Sequence, residues 1–439
     1  MNFISTRDKN IKVSLSEAMQ SGLAPDGGLF VPERFSTVDW QSFAKDISYA
    51  EFAANTLREF FKGDQLEASL DKICNNAFTF DVPVKRLDKT TSVLELFHGP
   101  TLSFKDFGAR FLANCLSSID SEKPFTILVA TSGDTGSAVA AAFHGKGNIR
   151  VIVMFPKGKI SKRQEKQITC WGDNIQAVEV EGVFDDCQTL VKEAFKTPWW
   201  TERTKLNTSN SINIGRLLPQ STYYAYTSWQ HYLQTGEKAN YIVPSGNIGN
   251  ITAAFWAKQM GFPIGEISMS LNANDTVIDY LNTGEFNPRA SVETLANAMD
   301  VGNPSNFERL LYLLGNYENF KANVKAVCVS DFEIIEEIKQ VYRQYNEVVC
   351  PHTATGFVAK NQLDANKDYI IVATAHPAKF ESVIEPILDI QVPATPALQK
   401  LLDKEQHKVA INKSMDELCE VYTRLLKENN FPNSALKLN

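Results

Sequence analysis

Seven cysteines and six histidines are spread over 439 residues. No cysteines stand as CxxC and no histidines as HxxxH, so neither a disulfide framework nor a zinc site is expected. The thiols read as reduced and buried, as in a cytoplasmic protein. Lysine and arginine (44) are outnumbered by aspartate and glutamate (51), for a net charge of −7. That balance argues against nucleic acid as a partner and means that an anionic ligand must be held by local geometry. No apolar run approaches the roughly 20 residues of a membrane span. The opening MNFISTRDKNIKVSLSEAMQSG alternates polar and apolar residues without a signal-peptide core. The P-loop ending GKS/GKT, the dinucleotide GxGxxG and the GxSxG elbow are all missing.

What is present is a repeating strand–turn–helix grammar. Residues 1–92 hold short helical patterns around a turn-rich LAPDGGLFVPERF. From Val93 onward apolar strands end in glycine turns and lead into helices. PFTILVATSGDTGSAVAAAFHGKG predicts a strand over Phe125–Ala130 and a helix over about 135–144. The pattern continues through NIRVIVMFP, NIQAVEV and DDCQTLVKEAF. A single long helix is expected through INIGRLLPQSTYYAYTSWQHYL. After ANYIVPSGNIGNITAAFWAKQMG come the strands EISMSLNAN, VKAVCVS and DYIIVATAHP, and the helix DFEIIEEIKQVYRQY. The fold class is therefore α/β, with mostly parallel sheets covered on both faces. At this length two domains are expected, and the stretch after about Pro393 is expected to pack on the larger one.

Two turns echo each other. ATSGDTGSAVAAAF and VPSGNIGNITAAF share SG(D/N)xG between strand and helix, at the edge where open sheets bind ligands. PSGNIGN (244–250) can converge backbone N–H groups on a phosphate at a helix N-terminus, or simply turn the chain. TSGDTG (131–136) carries Asp134, which either orients a ligand hydroxyl or amine or caps its own helix. SNSINIGR (209–216) gathers Asn210, Ser211, Asn213 and Arg216 as an anion site or as an N-cap cluster. Thr374 ends an apolar strand, where a hydroxyl can meet a ligand or serve structure alone. His98, His352 and His376 read as core or loop residues.

In ELFHGPTLSFKDFGARF (95–111), Lys105 follows Phe104 and precedes Asp106 and Phe107. It is either a salt-bridging surface residue or an amine kept neutral and reactive by desolvation.

Taken together and in order, HGPTLSFKDFGARF, TSGDTG, FPKGKISKRQEKQ, LNTSNSINIGRL, PSGNIGN, NAND and TAHPAKF resemble the pyridoxal-phosphate (PLP) enzymes of the tryptophan synthase β fold. Within that fold they resemble the threonine synthases, and the length suggests the longer variety. The resemblance covers most of the chain. It implies two open, mostly parallel twisted sheets flanked by helices, with an N-terminal accessory segment over 1–92. The smaller domain, with the PLP lysine, would span 93–215. The larger one, with the glycine turn and C-terminal helices, would span 216–439.

The resemblance also implies roles. Lys105 would be catalytic and form the Schiff base with PLP, its aromatic flanks favouring the neutral amine. Gly246, Asn247, Ile248, Gly249 and Asn250 would hold the cofactor phosphate, and Thr374 the pyridine nitrogen. Ile248 replaces a commoner phenylalanine and is expected to pack behind the turn. Asp134 would lie near the phenolic oxygen, where a carboxylate must donate a proton or stand off. Thr135, Asn210, Ser211 and Arg216 would hold the carboxylate or phosphate of O-phospho-L-homoserine. Lys157, Lys159, Lys162 and Arg163 read as a solvated basic loop sooner than as substrate ligands. The implied activity is conversion of O-phospho-L-homoserine and water to L-threonine and phosphate. The alternative is a related dehydratase or phospho-amino-acid lyase releasing 2-oxobutyrate.

Overall fold

A computed structural model describes residues 1–121 and 123–428. The continuous apolar runs become strands buried on both faces, as parallel sheets require. Phe125–Ala130 and Ile149–Pro156 are buried at every position. They lie in a five-stranded sheet whose spatial order is Lys408–Ile411, Ile175–Val180, Ile149–Pro156, Phe125–Ala130, Lys205–Asn207. All its pairings are parallel.

A six-stranded sheet runs Lys325–Cys328, Ile264–Leu271, Ala239–Pro244, Tyr369–Ala373, Thr91–Glu95, Val84–Arg86. It is parallel except at the last pair. Its register positions the site. Ile371 lies level with both Ile242 and Val93, and Ala373 level with Glu95. Three strands therefore end on one edge, and from it rise the glycine turn, Thr374 and the loop to Lys105.

Sheet membership crosses the linear borders expected from the sequence. Thr91–Glu95, just before Lys105, pairs with Tyr369–Ala373. The stretch after Pro393 was expected on the larger domain, yet Lys408–Ile411 extends the five-stranded sheet. Helix Met415–Glu428 then buries Leu418, Val421, Tyr422 and Leu425 in one cluster with Val178, Leu190 and Trp200. The reason is burial: that face of the smaller sheet is apolar and needs a cover. The expected long helix is two, Ile214–Leu217 and Gln220–Thr235. They separate at Pro219, which has no N–H to continue the ladder.

The N-terminal segment is part of the core. Three of its strands form a small antiparallel sheet. Helix Tyr49–Phe61 packs on Gln220–Thr235, with Phe52 against Tyr226 and Trp229 and the Tyr49 hydroxyl 2.7 Å from that of Thr222. Among the described residues no helix is long and apolar enough to cross a membrane.

Candidate active site

Lys105 is the first residue of helix Lys105–Ser117. The loop before it is pinned twice: Phe104 N–H donates to the Thr374 carbonyl (2.8 Å), and the Asp106 carboxylate accepts from the Thr101 N–H (2.9 Å) and hydroxyl (2.7 Å). The lysine side chain is only 16% exposed, and its Nζ lies 5.1 Å from the centre of the Phe104 ring. Phe107 instead packs against Tyr49, Phe80 and Tyr223, so only one of the expected aromatic flanks faces the amine. Burial pushes the Lys105 pKa down; the Asp134 carboxylate opposes this, while Lys379 and Arg216 add to it.

The expectation for Asp134 left out its strongest partner. Asp134 Oδ1 is 2.8 Å from the Nζ of Lys379, which is wholly buried, and Oδ2 is 3.8 Å from Lys105 Nζ. Gln164 Nε2 also donates to Oδ1 at 3.0 Å. Burial alone would raise the Asp134 pKa, but the two ammonium groups hold it well below the usual carboxylate range. Asp134 thus accepts from Lys379 and Gln164 with one oxygen and turns the other toward Lys105. Lys379 also donates to the Thr101 carbonyl (2.8 Å). It lies in TAHPAKF, where a lone lysine five residues from Thr374 gave no local signal that it turns inward.

The glycine turn fits a phosphate. A Cβ on Gly246 would meet Met299 Cα at 2.6 Å, so only glycine permits the approach. Ile248 has φ +62° and precedes helix Gly249–Gln259. A left-handed residue there curls backbone donors toward one point. The Ile248 side chain is buried, as the packing expectation required. Asn250 Oδ1 accepts from the hydroxyls of Tyr223 (2.5 Å) and Tyr224 (2.8 Å), while its buried Nδ2 has no partner among the described residues. A buried amide donor left over at a helix start suits an anion. The Thr374 carbonyl accepts from the Phe104 N–H, which holds the end of its strand against the loop that carries Lys105. These residues are compatible with PLP.

Two sets of predicted residues meet. Asn247 Nδ2 donates to Ser211 Oγ at 2.8 Å, and its Oδ1 accepts from the Ser305 N–H at 2.6 Å. Asn306 Nδ2 also reaches Ser211 Oγ (3.1 Å). Behind them the buried Arg309 donates to the carbonyls of Phe30, Ser211 and Ile212. Neither Asn306 nor Arg309 stands in a motif, and nothing local marks them. Arg216 is buried and donates to the Ser209 carbonyl, with Nε left without a partner. Its pKa is pushed down to about 10 by burial. A Cβ on Gly108 would meet the Arg216 carbonyl at 2.5 Å, so this arginine sits tight under the Lys105 helix. Thr135 and Asn210 are partly exposed.

The basic segment divides. Lys159 and Lys162 are exposed and Lys157 pairs with Glu181, as a solvated loop would have it. Arg163 departs from that reading. It donates to the carbonyls of Ala378 (2.6 Å) and Val392 (3.1 Å) and tethers its helix to the TAHPAKF segment.

The family described as "Pyridoxal-phosphate dependent enzyme" matches residues 82–375, "Threonine synthase N terminus" matches 2–78 and "Threonine synthase, C-terminal" matches 353–421. Threonine synthase of Haemophilus influenzae is 40% identical over 430 residues, covering 97% of this chain and 100% of the relative. The chain belongs to the threonine synthase family. The crystal structure of threonine synthase from Escherichia coli superimposes with a TM-score of 0.85 at 34% identity, covering 97% of this chain and all of that one. The PLP-bound threonine synthase from Brucella melitensis gives 0.90 at 30%, covering 97% and 99%. Like other members of the threonine synthase family, this chain is a PLP-dependent lyase of the fold-type-II architecture.

Proposed function

We propose that this enzyme converts O-phospho-L-homoserine and water into L-threonine and phosphate. The observation that carries the reading is the Asn247–Ser211 hydrogen bond, which ties the glycine turn offered to the cofactor phosphate to the segment offered to substrate. In this reading Lys105 carries the cofactor, residues 246–250 hold its phosphate and Thr374 meets its ring nitrogen. Thr135, Asn210, Ser211 and Arg216 bind the substrate's anionic groups.

When bound, PLP supplies an electron sink for the carbon acids of the substrate. The chain's own residues move the protons. Lys105, released as a free amine, takes a proton from the α carbon and relays protons at the β carbon, and a pKa lowered toward the working pH suits both directions. Asp134, paired with Lys379, places its second carboxylate oxygen 3.8 Å from Lys105 Nζ, where its charge favours the ammonium whenever Lys105 carries the proton. Phosphate would leave the γ carbon, which would take up the proton removed from the β carbon and become a methyl, and water would add its hydroxyl at the β carbon. We also place the enzyme in the cytoplasm, consistent with seven free cysteines.

The test is incubation of the purified protein with PLP and O-phospho-L-homoserine, measuring threonine, phosphate and 2-oxobutyrate. Equal amounts of threonine and phosphate are expected. Predominant 2-oxobutyrate would make this an eliminating lyase and overturn the reading.

A further inference from the structure

A cavity of about 530 Å³ opens at the carboxyl ends of Thr91–Glu95 and Tyr369–Ala373. Lys105, Asp134, Thr374 and residues 246–250 are absent from its wall, so it is separate from the site above. Its lining grades from wet to dry. Lys85 and His98 are exposed, and each is paired with a partly buried carboxylate that also lines the cavity: Lys85 with Glu347, and His98 with Glu95 at 2.8 Å. Val93, Leu102, Val349, Ala373 and Ala375 are buried and form the floor.

We propose that this cavity binds a free aliphatic α-amino acid as an effector of the enzyme. The size falls within the ~300–1,000 Å³ range of small-molecule sites. A buried apolar floor takes a branched hydrocarbon side chain. The opposite charges of Lys85 and Glu347 at the mouth suit a zwitterion, because its carboxylate and ammonium can each exchange for one member of that pair. A ligand of single charge would leave one member unmatched.

The floor is also the back of the catalytic wall. Leu102, at φ +60°, lies three residues before Lys105, and Ala373 and Ala375 flank Thr374. The two segments are joined by Phe104 N–H to the Thr374 carbonyl (2.8 Å) and by His376 N–H to the Leu102 carbonyl (3.0 Å). A side chain pressing on this floor bears on the backbone that sets both Lys105 and Thr374.

The experiment is calorimetric titration of the PLP-loaded enzyme with L-isoleucine, without substrate. Saturable binding with a Kd on the order of 1 mM or below is expected. Isobutylamine and isovalerate, each with one charge, bind roughly tenfold more weakly. Ala397→Trp, at an exposed position on the cavity wall away from Lys105, removes the binding while the absorbance of bound PLP is unchanged. Lys85→Glu weakens it, and Lys85→Glu with Glu347→Lys restores it. Bound isoleucine shifts the absorbance or fluorescence of the PLP. No saturable heat, equal binding of the singly charged analogues, or binding indifferent to Ala397→Trp would overturn the site; an unmoved PLP spectrum would overturn the effector role. None of these readouts requires turnover, so a failure here is distinct from a failure of the proposed reaction.

Discussion

Lys379 and Asp134 form an ion pair 2.8 Å long in which both side chains are buried, and the free oxygen of Asp134 faces Lys105 Nζ at 3.8 Å. Two lysines thus share one carboxylate. The wholly buried one fixes its charge, and the other is left with a partner when protonated.

Replacing Lys379 by methionine should leave the buried Asp134 with only Gln164 and the more distant Lys105 to offset its charge. Breaking such a pair costs about 3–5 kcal/mol. Urea unfolding of Lys379→Met should show that loss, and Asp134 should take up a proton and cease to hold the Lys105 ammonium. Lys379→Arg should recover part of the stability. Unchanged unfolding midpoints in both variants would contradict the pairing.

Lys105→Ala should abolish turnover. Borohydride treatment of the PLP-loaded wild type should add a reduced pyridoxyl group to Lys105, detected by mass spectrometry of the peptide, and should leave the variant unmodified. A label on another lysine would move the assignment.

Gly246→Ala should weaken PLP binding by roughly 5- to 150-fold, because overpacking of this order costs about 1–3 kcal/mol. The new methyl would meet Met299 Cα, a backbone atom that cannot swing aside. Fluorescence titration of the apoenzyme with PLP measures it; wild-type affinity would mean that the turn relaxes freely.

His352 should make stability fall as the pH is lowered. It is buried, its Nε2 accepts from the Ala298 N–H at 3.1 Å, and burial pushes its pKa down from 6.5 to about 4. The unfolded chain binds the proton first, so folding loses free energy as the pH drops from 6.5 to about 4 and is insensitive to this group above that window. The loss is about 3 kcal/mol in all. Denaturation of wild type and His352→Gln at pH 7 and pH 4.5 tests this, the variant showing the shallower slope. Equal slopes would place the titration elsewhere.

Much of this was legible in the chain because the strand–glycine turn–helix units are local. Phe125–Ala130 and Asp331–Tyr345 form where their patterns indicate, since apolar runs and capping residues act over a few positions. The turn at 246–250 is likewise written in its own segment. The break at Pro219 was missed, because the apolar periodicity on both sides reads as one helix. Lys379, Asn306 and Arg309 were not legible, because their significance lies in partners far along the chain: Asp134, Asn247 and Phe30.

By itself the sequence determined the α/β class and the strand–glycine turn–helix units, because backbone propensity and short motifs are properties of neighbouring residues. Only the tertiary structure decided that Lys408–Ile411 returns to the smaller sheet and that Asp134 is locked to Lys379. It alone set an apolar cavity behind the Lys105 wall. Those outcomes depend on sheet register and on which buried charges find each other, and both are settled by packing across hundreds of residues.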